Sequence, residues 1–181
     1  MKDILALGEF GLKENKRINS KAKGSRYENS VAKALNIRFE TSDFQRTPGS
    51  GAFATTHTLP DYLQIAGDLI TPVNFLFVIE CKAGYPQIHL HEHFEKGRSV
   101  DLTDFKGMST IIKFIKQGEK EVKNSKDKEY MILYKKDYKC QLVITGRSYG
   151  ITQEISIKGK YFVYTLKDFL KLPNHFFFST L

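Results

Sequence analysis

The chain has 181 residues, of which 41 % are hydrophobic and 27 % are charged. This balance is typical of a globular protein of about one domain and excludes a chain that is disordered throughout. The two cysteines, Cys81 and Cys140, are too few for a disulfide framework. The longest apolar run, residues 75–79, is far shorter than the ~20 residues of a membrane helix. With no secretory pattern at the start, we expect a soluble, cytoplasmic protein that does not contact membranes.

The chain is strongly basic. Twenty-eight Lys and Arg against twenty Asp and Glu give a net charge of +8 at pH 7. Such a charge favours a polyanionic partner, and nucleic acid before a membrane surface, because no basic amphipathic helix stands out. Residues 1–22 combine basic side chains with little periodicity, and we interpret them as a basic N-terminal arm. Residues 23–181 are then expected to form a single domain.

The first half of the chain predicts one helix, one loop and two strands. A helix is expected from Ser25 onward, and four apolar residues share one of its faces: Tyr27, Val31, Ala34 and Leu35. Residues 44–60 are rich in Gly, Pro, Ser and Thr and predict a loop. Two β-rich runs, residues 62–71 and 74–82, predict a hairpin that turns near residues 71–74. The second run is bounded by Pro and Gly, which favours a central buried strand.

The second half predicts a long helix followed by strands. The helix is expected over residues 101–124, with a lysine-rich outer face. After it come a second hairpin, two short strands and a short helix, predicted at residues 131–134, 139–145, 155–157, 161–165 and 165–172. This order of elements predicts an α/β fold in which one mixed sheet is flanked by helices.

The second β-rich run ends in Glu80-Cys81-Lys82. Because side chains alternate along a strand, Glu80 and Lys82 share one face and Cys81 points into the opposite layer. The pair is either an exposed ion pair or a site that compensates buried charges. Asp68, on the preceding predicted strand, could lie beside Glu80 or be a surface acid near a turn. Two converging carboxylates in a basic protein favour a site for a hard cation.

Four features in this order resemble the PD-(D/E)xK nuclease superfamily. They are a helix bearing Glu28, the loop Arg46-Thr47-Pro48-Gly49-Ser50-Gly51, then Asp68, then Glu80-Cys81-Lys82. Within the superfamily the pattern is most similar to archaeal-type Holliday junction resolvases, and the resemblance is strongest over residues 23–125. It implies a restriction-endonuclease-like fold and a Mg²⁺-dependent DNA endonuclease, with Mn²⁺ as a substitute, that acts on branched DNA as a homodimer.

Two other functions stay open. A nuclease of the same superfamily could cut or nick duplex DNA in repair or restriction. A non-catalytic nucleic-acid-binding module could carry the same acids as surface charges. Cleavage that requires Mg²⁺ would separate an enzyme from a binding module.

The resemblance also assigns roles to the acids. Asp68 and Glu80 would bind the metal together with the backbone carbonyl of Cys81, and Lys82 would position or help to deprotonate the attacking water. This agrees with the needs of phosphodiester hydrolysis, in which a divalent metal activates water and a lysine adds fixed positive charge. Asp61 forms a literal Pro-Asp pair and competes with Asp68 for the metal. We prefer Asp68, because Asp61 falls where the chain leaves the loop.

Glu28 has two possible roles. By resemblance it is a catalytic residue that holds a metal-bound water. Ser25 and Glu28 also match a capping box, in which Glu28 closes the start of the helix by accepting the N–H of Ser25. One carboxylate cannot serve both roles fully, so the sequence leaves them as alternatives.

The loop of residues 46–51 is a candidate phosphate site. It offers backbone N–H groups, an arginine and a hydroxyl, which suit a phosphate, although it could be an ordinary turn. By resemblance, Ser50 would contact the phosphate of the scissile region and Arg46 the DNA backbone. Further positions are assigned to DNA phosphates on the same basis: Gly49, Gly51, Lys21, Lys23 and Arg26.

Two other patterns have simpler explanations. His89, His91 and His93 would share one face of a strand and could bind zinc or copper, but nothing completes a tetrahedral site. A loop that packs on the body or faces DNA is the preferred interpretation. Residues 113–139 hold nine lysines and five acids, and form either a solvated face or a surface that tracks phosphates.

Overall fold

A computed structural model describes residues 20–48, 60, 62–95, 100–123 and 128–180. Residues 1–19 of the predicted arm lie outside the described residues. So do four positions with predicted roles, namely Gly49, Ser50, Gly51 and Asp61.

The described residues form four α-helices, nine strands and one 3₁₀ helix. In chain order they are α1 (Ser20–Phe39), β1 (Gln45–Arg46), β2 (Leu63–Ala66), β3 (Leu69–Pro72), β4 (Phe77–Ala83), α2 (Leu90–Phe94), β5 (Val100–Leu102), α3 (Met108–Val122), β6 (Glu129–Lys135), β7 (Gln141–Thr145), β8 (Ile155–Ile157), β9 (Tyr161–Thr165), α4 (Leu166–Phe169) and the 3₁₀ helix Asn174–Phe176. None of these helices is long and apolar enough to cross a membrane.

The strands form two sheets. A six-stranded sheet has the order β4-β6-β7-β9-β8-β5, in which the β4–β6 and β5–β8 pairs are parallel and the others antiparallel. A smaller antiparallel sheet, β1-β3-β2, meets β4 through a bridge between Gly67 and Ile79. A mixed sheet flanked by helices is the predicted class, although the chain divides its strands between two sheets rather than one.

The six-stranded sheet separates two hydrophobic clusters. The first packs α1, α4 and the aromatic C-terminal segment against one face, with Val31 and Phe177 fully buried. The second packs α2 and α3 against the other face and includes Ile111. Neighbours along β6, Ile132 and Leu133, belong to different clusters, as the alternation of side chains requires. The sheet is therefore covered on both faces.

The predicted hairpin of residues 62–71 with 74–82 is wrong. The first run is itself a hairpin, in which β2 and β3 pair antiparallel and the chain reverses at Gly67 and Asp68. The chain also turns at residues 73–74, but β4 then pairs in parallel with β6. Gly67 has φ +68°, a conformation that glycine adopts without strain. That conformation makes the early reversal possible inside a run that otherwise resembles one strand.

Two predicted helix boundaries are also wrong. The helix α1 begins at Ser20 rather than Ser25, so residues 20–22 of the predicted arm are helical. The helix α3 begins at Met108, and residues 100–102 form β5, paired with β8. Pairing with a distant strand overrides the local preference of those residues. The second hairpin, the two short strands and the last helix lie close to their predicted positions.

Substitution of Gly67 by alanine should destabilise the fold at the junction of the two sheets. A Cβ at this position would overlap the carbonyl oxygen of Ile79 and lie 3.1 Å from its carbonyl carbon, in addition to the strain of φ +68°. We expect a loss of about 3 kcal/mol or more of unfolding free energy, measured by urea denaturation.

Gly150 is the matched control, because it has φ +67° and open space around the same Cβ position. Gly150→Ala should cost only the conformational strain, about 1–2 kcal/mol. Equal losses in the two variants would contradict the role assigned to the close approach of Gly67 and Ile79.

Candidate active site

The end of β4 carries an acid and a base on the side that faces α3. Glu80 is only 2 % exposed, and its Oε2 lies 2.8 Å from Nζ of Lys82. Cys81 packs against the opposite cluster, on the side of α1. The predicted alternation is therefore confirmed, and the pair is not the exposed ion pair of the alternative explanation.

Asp68 reaches β4 from the turn of the β2–β3 hairpin. Its backbone N–H donates to the carbonyl of Ile79 at 2.8 Å, and its Oδ2 accepts the N–H of Cys81 at 2.7 Å. These bonds hold the carboxylate against β4, where the charge of Asp68 acts on Glu80. The expected juxtaposition of the two acids is present, but it is produced by a turn and not by paired hairpin strands.

Glu28 is brought to the same place by α1. Since Ser25 lies inside a helix that begins at Ser20, its N–H is not at the helix start, and the capping-box interpretation is wrong. The Oε2 of Glu28 instead accepts a bond from Nε of Arg46 at 2.5 Å. Its negative charge also acts on Asp68. Glu28 therefore lies close enough to Asp68 for the two charges to interact.

Two residues of α3 complete the surroundings, and the sequence patterns do not single them out. Gln117 donates from Nε2 to Oε2 of Glu80 at 2.7 Å and accepts from Nζ of Lys82 at 2.9 Å. Glu121, one turn further along, adds negative charge that acts on Asp68 and Glu80. The sequence does show that Gln117 and Glu121 are four residues apart on a predicted helix and so share one of its faces. Polar pairs with this spacing are also common on solvated helix faces, so the spacing does not mark them as site residues.

Burial raises the pKa of both acids, and nearby negative charges add to the rise. Burial is the larger cause for Asp68, and it is opposed by the N–H of Cys81 and the charge of Lys82. For Glu80, burial comes first and the charge of Asp68 second. Burial acts to lower the pKa of Lys82, but its bond to Glu80 and the nearby negative charges raise it overall. The site thus concentrates negative charge where water is scarce, which favours a bound cation.

The donor chemistry fits a divalent cation of the magnesium type. Mg²⁺ commonly takes one or two carboxylates and keeps several waters, and Asp68 and Glu80 offer two. Within the part of the chain that the structure describes, no group of three or more His, Cys, Asp or Glu side chains is close enough to hold a metal by itself. A site here therefore depends on the acid pair, on backbone oxygen and on oxygens from outside the chain.

The three alternating histidines do not share a strand face. His89 precedes α2, and His91 and His93 lie within it. His91 is buried, its Nε2 lies 2.8 Å from the carbonyl oxygen of Cys140, and burial lowers its pKa. These contacts tie α2 to the β6–β7 connection, which is a structural role.

The described phosphate-binding candidates lie on α1 and β1. Lys23 pairs with Asp137 at 2.6 Å, and Arg26 is exposed. Arg46 is held by Glu28, and the N–H of the next residue, Thr47, donates to the carbonyl of Asp68 at 3.0 Å. The start of the predicted phosphate loop is therefore attached to the turn that carries Asp68.

The chain matches the model of a known protein family. The family is described as phage putative PDDEXK endonuclease, and its model matches residues 19–172. Neither a curated protein nor a solved structure matches. The family match confirms the predicted superfamily and, with the mixed sheet and its flanking helices, the restriction-endonuclease-like fold. It does not extend to the archaeal-type resolvases.

Removal of one carboxylate charge should stabilise the metal-free protein. Because folding raises the pKa of Asp68 and Glu80, their contribution to stability is present below pH ~4 and is lost as the pH rises through the raised values. At pH 7.5 in EDTA, Asp68→Asn and Glu80→Gln should therefore melt about 2–4 °C higher, which corresponds to ~1 kcal/mol at this chain length. The gain should shrink towards pH 4.

Mg²⁺ supplies the second arm of this experiment. It should raise the melting temperature of the unmodified chain and have little effect on either variant. Asp104→Asn, at an exposed aspartate, should respond to Mg²⁺ like the unmodified chain. An equal response of Asp68→Asn and Asp104→Asn would exclude Asp68 from the metal site.

Proposed function

Because the chain belongs to the phage putative PDDEXK endonuclease family, we propose that it is a Mg²⁺-dependent endonuclease that hydrolyses phosphodiester bonds of DNA. The observation that carries the proposal is the convergence of Asp68, Glu80 and Lys82 at the end of β4. The family match supports nuclease activity in general. Metal dependence is inferred from the paired carboxylates, and DNA as the substrate from the net charge of +8.

A divalent ion bound by Asp68, Glu80 and the backbone carbonyl of Cys81 would activate water and neutralise charge on the phosphoryl oxygens. Mn²⁺ has the same preference for oxygen ligands and should substitute for Mg²⁺. The N–H of Cys81 fixes the orientation of the Asp68 carboxylate before any ligand binds. The chain thus has its acids in place in advance, which reduces reorganisation during the reaction.

Lys82 and Glu28 have supporting roles in this mechanism. Lys82 is held between Glu80 and Gln117. Its ammonium would add positive charge where negative charge develops on the phosphate. Glu28 has one oxygen on Arg46 and would use the other to orient a water beside the metal. The proposed chemistry therefore needs α1, the hairpin turn and β4 in their present arrangement.

We propose branched DNA, such as a four-way junction, as the preferred substrate of a homodimer. The support is the motif resemblance over residues 23–125 and a symmetry argument. A four-way junction presents paired scissile phosphates, and a two-fold dimer presents paired sites. The basic arm of residues 1–22 and the phosphate loop would add contacts to the DNA backbone.

A cleavage panel tests the proposal directly. Labelled junction, fork, flap and plain duplex should be cut in Mg²⁺ or Mn²⁺ and not in EDTA, with the junction cut fastest. Asp68→Asn and Glu80→Gln should each lower the cleavage rate at least about 100-fold, because each removes a ligand of the catalytic ion. Binding to the same DNA in EDTA should be unchanged or tighter, since the loss of a negative charge reduces repulsion of phosphate.

The variant Asp104→Asn should cleave at the rate of the unmodified chain. Cleavage that persists in EDTA, or full activity of the Asp68 or Glu80 variant, would refute the metal site. Preferential cleavage of plain duplex would support the proposed nuclease activity and refute the proposed preference for junctions. Binding without any cleavage would favour the non-catalytic alternative.

Glu28→Gln separates a role in catalysis from a role in stability. The glutamine can still accept the bond from Arg46, so the melting temperature should stay within about 2 °C. Cleavage should fall about 10- to 100-fold, the range observed when the outer partners of a metal site are changed. Glu129→Gln is the matched control. Glu129 also pairs with an arginine, with Arg147 at 2.8 Å, but it lies at the opposite end of the parallel β4–β6 pair. Full activity of Glu28→Gln would make Glu28 a structural residue.

A further inference from the structure

A groove of about 500 Å³ opens beside the end of β4, on the face of the sheet that carries Cys81 and is opposite to Glu80 and Lys82. It lies between α1 and the connection from β6 to β7. Ala83, the last residue of β4, and Tyr27, the neighbour of Glu28, both line it. Ala83 follows Glu80 by three residues, which is about 10 Å along a strand and about three nucleotide steps of one DNA strand. Because β4 is the edge strand of the six-stranded sheet, a DNA strand that leaves the candidate site around the end of β4 would reach this groove.

The groove carries a positive charge. Lys23 and Arg26 enter it from α1, and Lys135 enters from β6. Asp137 also lines it, but its carboxylate is paired with Lys23 at 2.6 Å. The Nζ of Lys135 lies 5.8 Å from the ring centroid of Tyr27, so its charge stays at the groove wall. This charge distribution suits a phosphate backbone.

Tyr138 stands at the rim of the groove, in the connection between β6 and β7. Its side chain is fully exposed, at 105 % of the reference area, and its φ is +60°. Positive φ disfavours a tyrosine, and full exposure means that no packing contact compensates for it. A strained, solvent-facing aromatic beside a row of basic side chains is the arrangement by which proteins stack nucleic-acid bases.

We propose that this groove binds a single-stranded stretch of DNA next to the cleavage site, with Tyr138 stacked on an unpaired base. Arg26 and Lys135, whose charges are not used by Asp137, would contact the flanking phosphates. The inference rests on the proposed function and narrows its substrate to DNA with unpaired bases beside the cut, as at a fork, a flap or an open junction centre. In a continuous duplex the faces of the bases are covered by their neighbours and are not available to the ring.

The chain contains no tryptophan, so Tyr138→Trp creates a single fluorescent probe at the groove. Titration with a thymidine oligonucleotide in EDTA should quench its emission, because a stacked base is in direct contact with the indole. Tyr62→Trp is the matched control, at a tyrosine that is 57 % exposed outside the groove. Its emission should change little. Absence of quenching at position 138, or equal quenching at both positions, would overturn the inference.

Affinities in EDTA give the second measurement. Tyr138→Ala should weaken binding of the oligonucleotide about 5- to 150-fold, the range for loss of one stacked base, and should change binding of a plain duplex less than twofold. Tyr138→Phe should bind like the unmodified chain, because it keeps the ring. Equal weakening for both DNAs would overturn the inference, because it would mean a general loss of contact with DNA.

Tyr138→Gly tests whether the ring has only a structural role. Glycine adopts φ +60° freely, so the melting temperature should be unchanged or higher while oligonucleotide binding weakens as much as in Tyr138→Ala. A lower melting temperature would assign the ring to packing and overturn the inference. Suppose that the unmodified chain cleaves DNA in Mg²⁺ and that Tyr138→Ala binds the oligonucleotide as tightly as the unmodified chain. This result would refute the present inference and leave the proposed function in place. Failure to cleave any DNA would refute the proposed function, whatever the fluorescence shows.

Discussion

The arrangement of the candidate site depends on two hydrogen bonds between Asp68 and the backbone of β4. The N–H of Asp68 donates to Ile79, and its carboxylate accepts from Cys81, so the turn of one sheet is attached to the first strand of the other. Both bonds need the close approach at Gly67. Without them, Asp68 would belong to a small peripheral sheet, and the acids would lie on separate parts of the molecule.

The same attachment creates an electrostatic conflict within the fold. Asp68 and Glu80 repel each other in a region of low water content, and Glu28 and Glu121 increase the negative charge that acts on Asp68. The chain relieves part of this conflict through Lys82 and Gln117, which both bond to Glu80. The remaining excess of negative charge lies inside a chain that is basic as a whole. Local charge and overall charge thus have opposite signs, one suited to a cation and the other to a polyanion.

The sequence predicts local features of this protein better than its long-range contacts. Alternation along β4 is a backbone property, so the opposite orientations of Glu80 and Cys81 follow from the sequence alone. The position of Asp68 depends on a glycine turn hidden in an apolar run, and the role of Glu28 depends on where α1 begins. Gln117 acts through contact with β4, which no local pattern encodes. The roles assigned to Gly49, Ser50, Gly51 and Asp61 remain predictions.

The acids of the site come from segments that are far apart along the chain. Glu28 lies in α1, Asp68 in a turn, Glu80 in β4 and Glu121 near the end of α3. Contacts of such long range carry an entropic cost, because the chain must close the intervening loops to make them. Under the proposed function, the basic side chains would attract DNA without such assembly. If the proposed function holds, an incompletely folded chain would associate with DNA without being able to cut it, and cleavage would show that folding is complete.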